Sequence, residues 1–250
     1  VRRDNDHILG FIRILDIALM ADASEPRELE VLADAWGLGR LWRTTSAVAA
    51  APAQGATATA ARPDGDTVAV VTADDEGRSV SLIQSIFHGF GSMVLEPTTG
   101  ILMHDRGACF SLDRASPNVL APGKRPLHTL SPVLAEQAGA GDRHRLVVGT
   151  MGGHVQPQIL TQVLSRLIAG AGAVDAVGAA RFTVGAWDEG DPEDGANVES
   201  DLDPQMRAEL NAYPGPVTLF EPRNGSVGHA HAIRVRDGAF DVGSDPRADG

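Results

Sequence analysis

A mixed α/β fold, with stacked β-sheets covered by helices, is predicted by three features of the sequence. From Thr67 onward, short runs alternate apolar and small or polar residues and are closed by turn signals such as Asp-Asp-Glu-Gly and Asp-Gly, the pattern of hairpins. Among them stands one strongly periodic segment, 155–169, whose Ile159, Leu160, Val163, Leu164, Leu167 and Ile168 recur at helical spacing. The composition agrees: of 250 residues 43% are hydrophobic, glycine is frequent at 28, and aromatics are only 4%. Such a chain has a core of Val, Leu, Ile and Ala, many tight turns, and enough apolar content to fold.

Taken in order, residues 8–20 carry Ile8, Leu9, Phe11, Ile12, Leu15 and Leu19 at helical spacing, and Glu25-Pro26-Arg27 opens a second helix towards Trp36. Residues 1–43 therefore read as a helical segment. Residues 44–66, rich in Ala, Pro, Thr and Gly without a period, read as a flexible linker. At Thr67 the pattern changes to strand (68–73), turn (74–77) and strand (78–87). A four-residue turn that pairs Ala73 with Arg78 sets Thr67 opposite Gln84 and beside Ser85. A turn-rich loop at 88–92 precedes a short strand at 100–103. The four prolines of 117–132 predict an extended loop packed by its own residues. A strand at 145–150, a turn at Met151-Gly152-Gly153-His154 and the helix 155–169 follow, with Gly170 as its stop. Beyond lie a helix at 174–181, a strand at 182–187, an acidic loop at 188–194, a strand at 196–199, a helix at 204–212, a strand at 217–221 and a terminal hairpin (230–236, 239–242) turning at Asp237-Gly238.

The formal charge of −12 argues against nucleic acid or an anionic membrane as the principal partner, because no Lys/Arg cluster is dense enough to neutralise a run of phosphates. A small-molecule substrate is expected. No apolar stretch reaches the ~18–20 residues of a membrane span, and the charged start is unlike a signal peptide, so the chain as given reads as cytoplasmic, or exported if a preceding part carries a signal. No cofactor motif is present: the glycines at 152 and 153 lack the Walker or dinucleotide pattern. No metal site is expected either, since His229 and His231 share a strand face but no third ligand has diagnostic spacing.

Three positions invite chemistry. A threonine at a linker-to-strand junction is an ordinary strand opener; equally, cleavage before Thr67 would make it a chain terminus holding nucleophile and base together. Its α-amine, with an ordinary pKa of about 7.7–8.0, could take the hydroxyl proton at neutral pH. Ser85 is then either a plain strand serine or the hydrogen-bond partner of that hydroxyl. Gly152-Gly153, between strand and helix, is either a tight turn that needs glycine's freedom or a pair of N–H donors aimed at a developing oxyanion. Cys109, the single cysteine, reads as a small buried or loop residue, since no nearby base would activate it as a nucleophile.

From Gly65 to its end the chain resembles the small catalytic subunit of the γ-glutamyltranspeptidase family of N-terminal-nucleophile hydrolases. The resemblance lies in the order of Thr67, the Asp74–Gly77 turn, Ser85, Phe90-Gly91-Ser92, Gly100-Ile101-Leu102, Lys124-Arg125-Pro126-Leu127, Gly152-Gly153 and Ser244-Asp245-Pro246-Arg247. It implies an α/β (α+β) fold of the four-layer αββα sandwich type, here incomplete, with residues 67–250 as the catalytic domain and 1–43 as the end of a large subunit. It also implies self-cleavage before Thr67 and an acyl-enzyme on its hydroxyl, passed to water or an amine. Ser85 would bond the nucleophile, Gly152 and Gly153 would hold the oxyanion, and His128 and Thr129 occupy the places of a serine pair that contacts the substrate carboxylate. The expected partners are an amide or γ-glutamyl substrate and either a large-subunit chain or the cleaved N-terminal piece; the alternative is a catalytically silent fragment or assembly partner.

The sequence departs from that pattern where the glutamyl group would be recognised. Phe87 stands for the family's Asn, Arg106 for its Gln, Cys109 for the Asp that receives the α-amine, and Val68 for the Thr after the nucleophile. The acyl chemistry is thus expected to persist while ammonium recognition is lost, which favours an acyl group with a carboxylate and no amine.

Overall fold

The computed structural model describes residues 67–139, 142–185, 192, 194–210 and 212–248. The helices expected at 8–20 and 25–36, the linker 44–66, residues 186–187 of the expected strand and residues 188–191 and 193 of the acidic loop lie outside them. The fold is mixed α/β, as the alternation predicts.

Strands β1 (Thr67–Ala73) and β2 (Ser79–Ser85) form an antiparallel hairpin. Its register differs by one residue from the expected one: Ala73 pairs with Ser79, and Thr67 lies directly opposite Ser85. The cause is local. Arg78 belongs to the loop, where the Asp74 carboxylate accepts from the Arg78 backbone N–H (2.8 Å) and from its Nε (2.6 Å), and the Asp74 N–H donates to the Arg78 carbonyl (3.0 Å). Two short strands, β3 (Leu95–Glu96) and β4 (Ile101–Leu102), pair in the segment that follows.

A four-stranded antiparallel sheet is built from β5 (Val133–Gly139), β6 (Asp142–Thr150), β10 (Ala230–Arg236) and β11 (Ala239–Ser244), in the order β11-β10-β6-β5. On one of its faces Leu146, Val148, Ala230 and Ala232 pack with Val155, Ile159, Leu160, Val163, Leu164 and Leu167 of helix α1 (Gln156–Ile168) and its lead-in, and with Ala173, Ala176 and Val177 of α2 (Ala173–Gly178). The other face carries the β1–β2 hairpin. Gly149 of β6 allows this close stacking: a Cβ there would sit 3.0 Å from Ile83 Cδ1 and 3.3 Å from Ala69 Cβ. The Ser81 hydroxyl donates to the Val148 carbonyl across the two layers (2.9 Å). The described layers are therefore helix, sheet and hairpin. The outer side of the hairpin exposes Val68 (57%), Val70, Val80 and Leu82.

A smaller sheet, β7 (Phe182–Val184), β8 (Ala196–Glu199) and β9 (Val217–Phe220), has the order β7-β8-β9, with β8 and β9 parallel. It packs Phe182, Val184, Ala196 and Val198 on Leu202, Met206 and Leu210 of and beside α3 (Pro204–Leu210).

The C-terminal Ser244-Asp245-Pro246-Arg247 stretch locks these parts together. Asp245, 1% exposed, pairs with Arg181, accepts from the Ala230 N–H (2.8 Å) and pairs with Arg247 (3.0 Å), which also reaches Glu199. Burial by itself would raise the Asp245 pKa, but Arg181, the Ala230 N–H and Arg247 outweigh it and hold the carboxyl below its ordinary value. A carboxyl whose folded pKa is depressed adds stability above its unfolded value of about 3.9, and that contribution is lost as pH falls through the folded value. Asp245→Ala, which strands a buried guanidinium, is therefore expected to cost about 3–5 kcal/mol in urea unfolding at pH 7. The deficit relative to wild type should shrink as the pH is taken below about 4; a deficit that stays constant into acid would exclude the ion pair as its source.

Candidate active site

The hairpin places the sequence-predicted nucleophile and its partner side by side. Thr67 and Ser85 are cross-strand neighbours whose side chains point to the same face, and the Thr67 hydroxyl donates to Ser85 Oγ at 2.8 Å. Ser85 Oγ also accepts from the Phe87 backbone N–H at 3.0 Å. The serine oxygen is thus held from two sides. Removing it by Ser85→Ala is expected to slow amide hydrolysis by about 1.5–3 kcal/mol, roughly ten- to a hundredfold, as for one hydrogen bond to a group developing charge. Steady-state kinetics with an anilide substrate would measure it, and an unchanged kcat would remove Ser85 from the site.

Beyond Ser85 the chain turns sharply: Phe87 has φ 81° and Phe90 59°, left-handed values unusual for residues with side chains. This turn carries the Phe87 ring beneath Arg106, whose guanidinium carbon lies 4.3 Å from the ring centroid. Arg106, on a single 3-10 turn (Arg106–Cys109), is only 7% exposed. Its Nη1 donates to the Thr129 hydroxyl at 3.0 Å, and Cys109 lies within its reach. Among the described residues no carboxylate pairs with this guanidinium. The Cys109 thiol pKa is raised, chiefly by burial, with Arg106 pulling the other way, so the thiol stays protonated at neutral pH. The His128 pKa is lowered, first by burial and then by the positive charge of Arg106, which keeps that imidazole neutral. Arg106, Cys109, His128 and Thr129, distant in sequence, are thereby gathered around one buried cation.

Gly152 and Gly153 lie where β6 passes into α1. Gly152 has φ 137°, and a Cβ there would meet Ile159 Cδ1 at 2.7 Å, so both backbone and packing require glycine. Gly153, at φ 51°, has open space around its Cα. The N–H groups of both take no acceptor among the described residues. No hydrogen bond among the described residues joins this turn to Thr67 or Ser85. The link to the Arg106 group runs through Gln156 at the start of α1, whose Oε1 accepts from the Ser131 N–H (3.0 Å), two residues after Thr129. Gln156 is fully buried and its Nε2 has no partner.

Gln156 and the pair His88–Asp105, where Nδ1 and Oδ2 are 2.5 Å apart, are absent from the site as read from sequence. Only the density of glycine around 89–91 hinted at a strained turn there. Among the described residues no group of three or more His, Cys, Asp or Glu is placed to hold a metal ion, and no helix is long and apolar enough to cross a membrane.

The fold that carries this strand-borne threonine, its cross-strand serine and the glycine turn at a helix start is similar to that of solved gamma-glutamyltranspeptidases. The family model for gamma-glutamyltranspeptidase matches residues 40–250. The chain is 38% identical over 189 residues to the oxamate amidohydrolase proenzyme of Klebsiella pneumoniae, covering 74% of this chain and 35% of the relative. It is 35% identical over 193 residues to the glutathione hydrolase-like YwrD proenzyme of Bacillus subtilis, covering 76% and 36%. Among solved structures, gamma-glutamyltranspeptidase from Pseudomonas nitroreducens complexed with L-DON superposes with a TM-score of 0.60 at 27% identity, over 73% of this chain and 96% of that one. The chain belongs to the gamma-glutamyltranspeptidase family. It spans about a third of the length of the curated relatives it matches.

Proposed function

We propose that the chain is the catalytic portion of a threonine-nucleophile amidohydrolase or acyltransferase that acts on acyl groups bearing a carboxylate and no ammonium. The observation that carries this reading is Arg106: a guanidinium 7% exposed, stacked on Phe87 and bonded to the neutral Thr129, with no carboxylate partner among the described residues. A buried cation without a counter-charge is costly, and a substrate carboxylate supplies the missing charge in bidentate geometry. An α-ammonium, by contrast, would meet this cation and a protonated thiol. Oxamate, in the name of the Klebsiella relative, is such a compound: an amide next to a carboxylate, without an amine.

Cleavage of the Asp66–Thr67 bond frees the Thr67 α-amine. In hydrolysis that amine takes the hydroxyl proton as Oγ1 attacks the amide carbon, and the new oxyanion is received by the free N–H groups of Gly152 and Gly153. Ser85 holds the threonine oxygen in line. The C–N bond then breaks, the α-ammonium returns its proton to the departing nitrogen, and an ester on Thr67 remains. Water attacks the ester, its proton passing to the same amine, and releases the carboxylic acid; an amine acceptor in its place gives transfer.

The exposed outer face of the hairpin, with Val68, Val70, Val80 and Leu82 alternating outward, supports an additional covering layer that completes the four-layer sandwich. A large-subunit segment is that layer, either the residues before Thr67 or a separate chain. The site is tested by carboxylate binding: glutarate titrated into Arg106→Gln should bind at least ~10-fold more weakly than into wild type, and equal affinity would take Arg106 out of the acyl pocket.

A further inference from the structure

Three contacts converge on the strained turn behind the nucleophile. The Asp105 N–H donates to the Ile86 carbonyl (3.2 Å), the His88 N–H donates to Asp105 Oδ1 (3.1 Å), and His88 Nδ1 meets Asp105 Oδ2 (2.5 Å). Residues 86 and 88 are both tied to Asp105, and the residue between them, Phe87, is the one at φ 81°. A bulky side chain in that conformation persists only where its surroundings over-determine it. Phe87 in turn does two things: its N–H fixes Ser85 Oγ, and its ring lies under Arg106, the residue that follows Asp105.

We propose that Asp105, acting with His88, is a positioning residue that holds the Phe87 arch and so couples the Thr67–Ser85 pair to the Arg106 pocket. The proposal rests on the threonine-nucleophile reading above. Without the clamp, Phe87 relaxes towards negative φ, its N–H swings away from Ser85, and its ring leaves the guanidinium. One lesion then affects both turnover and substrate binding.

The two paths make the test specific. With glutaryl-p-nitroanilide as probe, Asp105→Ala should lower kcat about tenfold or more and also raise KM. Because the kcat effect passes through Ser85, adding Asp105→Ala to Ser85→Ala should lower kcat by less than about threefold further. His88→Ala, which removes the ring but leaves the carboxylate, should show the same non-additivity with smaller losses, and it carries the cycle if Asp105→Ala does not accumulate as folded protein. Equal factors in the wild-type and Ser85→Ala backgrounds, or an unchanged kcat and KM in either variant, would overturn the clamp. Thr67→Ala measured alongside separates the two claims: activity that survives it defeats the nucleophile reading and the clamp with it, whereas an additive cycle on Thr67-dependent activity defeats the clamp alone.

Discussion

Thr67→Ala is expected to abolish both chain cleavage and amide hydrolysis, lowering kcat/KM by roughly a thousandfold or more, the scale on which enzymes lose rate with their nucleophile. On the proposed reading the threonine supplies the attacking oxygen in both reactions, and its neighbour among the described residues, Ser85 Oγ, is occupied in accepting from the Thr67 hydroxyl and the Phe87 N–H. The fold should tolerate the change. Thr67 is the half-buried first residue of β1, and the loss is one side-chain hydrogen bond, about 1 kcal/mol. Thr67→Ser keeps the oxygen and should retain part of both activities, at a lower level because the β-branch that restricts χ1 is gone. Electrophoresis of the purified variants reports cleavage and anilide turnover reports hydrolysis; full activity in the alanine variant would end the proposal.

The second large effect concerns the acyl group. Glutaryl-p-nitroanilide should be hydrolysed at least ~100-fold faster than γ-glutamyl-p-nitroanilide in terms of kcat/KM, because the two differ only in an α-ammonium that this pocket leaves unpaired at a cost of several kcal/mol. On the proposed reading Arg106 and Cys109 are the residues responsible. Replacing Arg106 by Gln removes the like charge, and replacing the protonated thiol of Cys109 by a carboxylate supplies a counter-ion. The double variant should move the ratio back towards γ-glutamyl, mostly by losing glutaryl turnover and partly by gaining the other. Wild-type preference for the γ-glutamyl anilide, or a ratio indifferent to the double substitution, would remove both residues from the acyl pocket.

The hairpin was legible because its signals are local. Val68, Val70, Val80 and Leu82 alternate with residues that face the core, and the glycine of the Asp74–Gly77 stretch marks the reversal. The one-residue error in register has an equally local cause: Asp74 captures the Arg78 side chain and backbone together, which lengthens the loop, and composition does not reveal that bond. Strand β5 was not legible. Its Val-Leu-Ala-Glu-Gln-Ala-Gly is no better a strand than a helix, and its pairing with β6 decides the matter.

The same division holds for the site. Thr67 and Ser85 are joined by a hairpin, so spacing brought them close, and Gly152-Gly153 sits between elements that each have a clear period. The surroundings of Arg106 could not be read that way. Thr129 reaches it from 23 positions away, Phe87 reaches it only because residue 87 takes a left-handed conformation, and Asp105 grips His88 across a loop. What pointed to the Arg106 group was the pattern of departures from a family resemblance.

On the proposed mechanism Thr67 becomes the first residue of a chain and acts from there. Intact-mass measurement of the purified protein tests it directly. Two pieces divided at Asp66–Thr67 are expected, the larger beginning with Thr67 and gaining the mass of one glutaryl group when quenched during turnover of the anilide; a single uncleaved chain after prolonged incubation, or acylation on any other residue, would exclude Thr67 as the nucleophile.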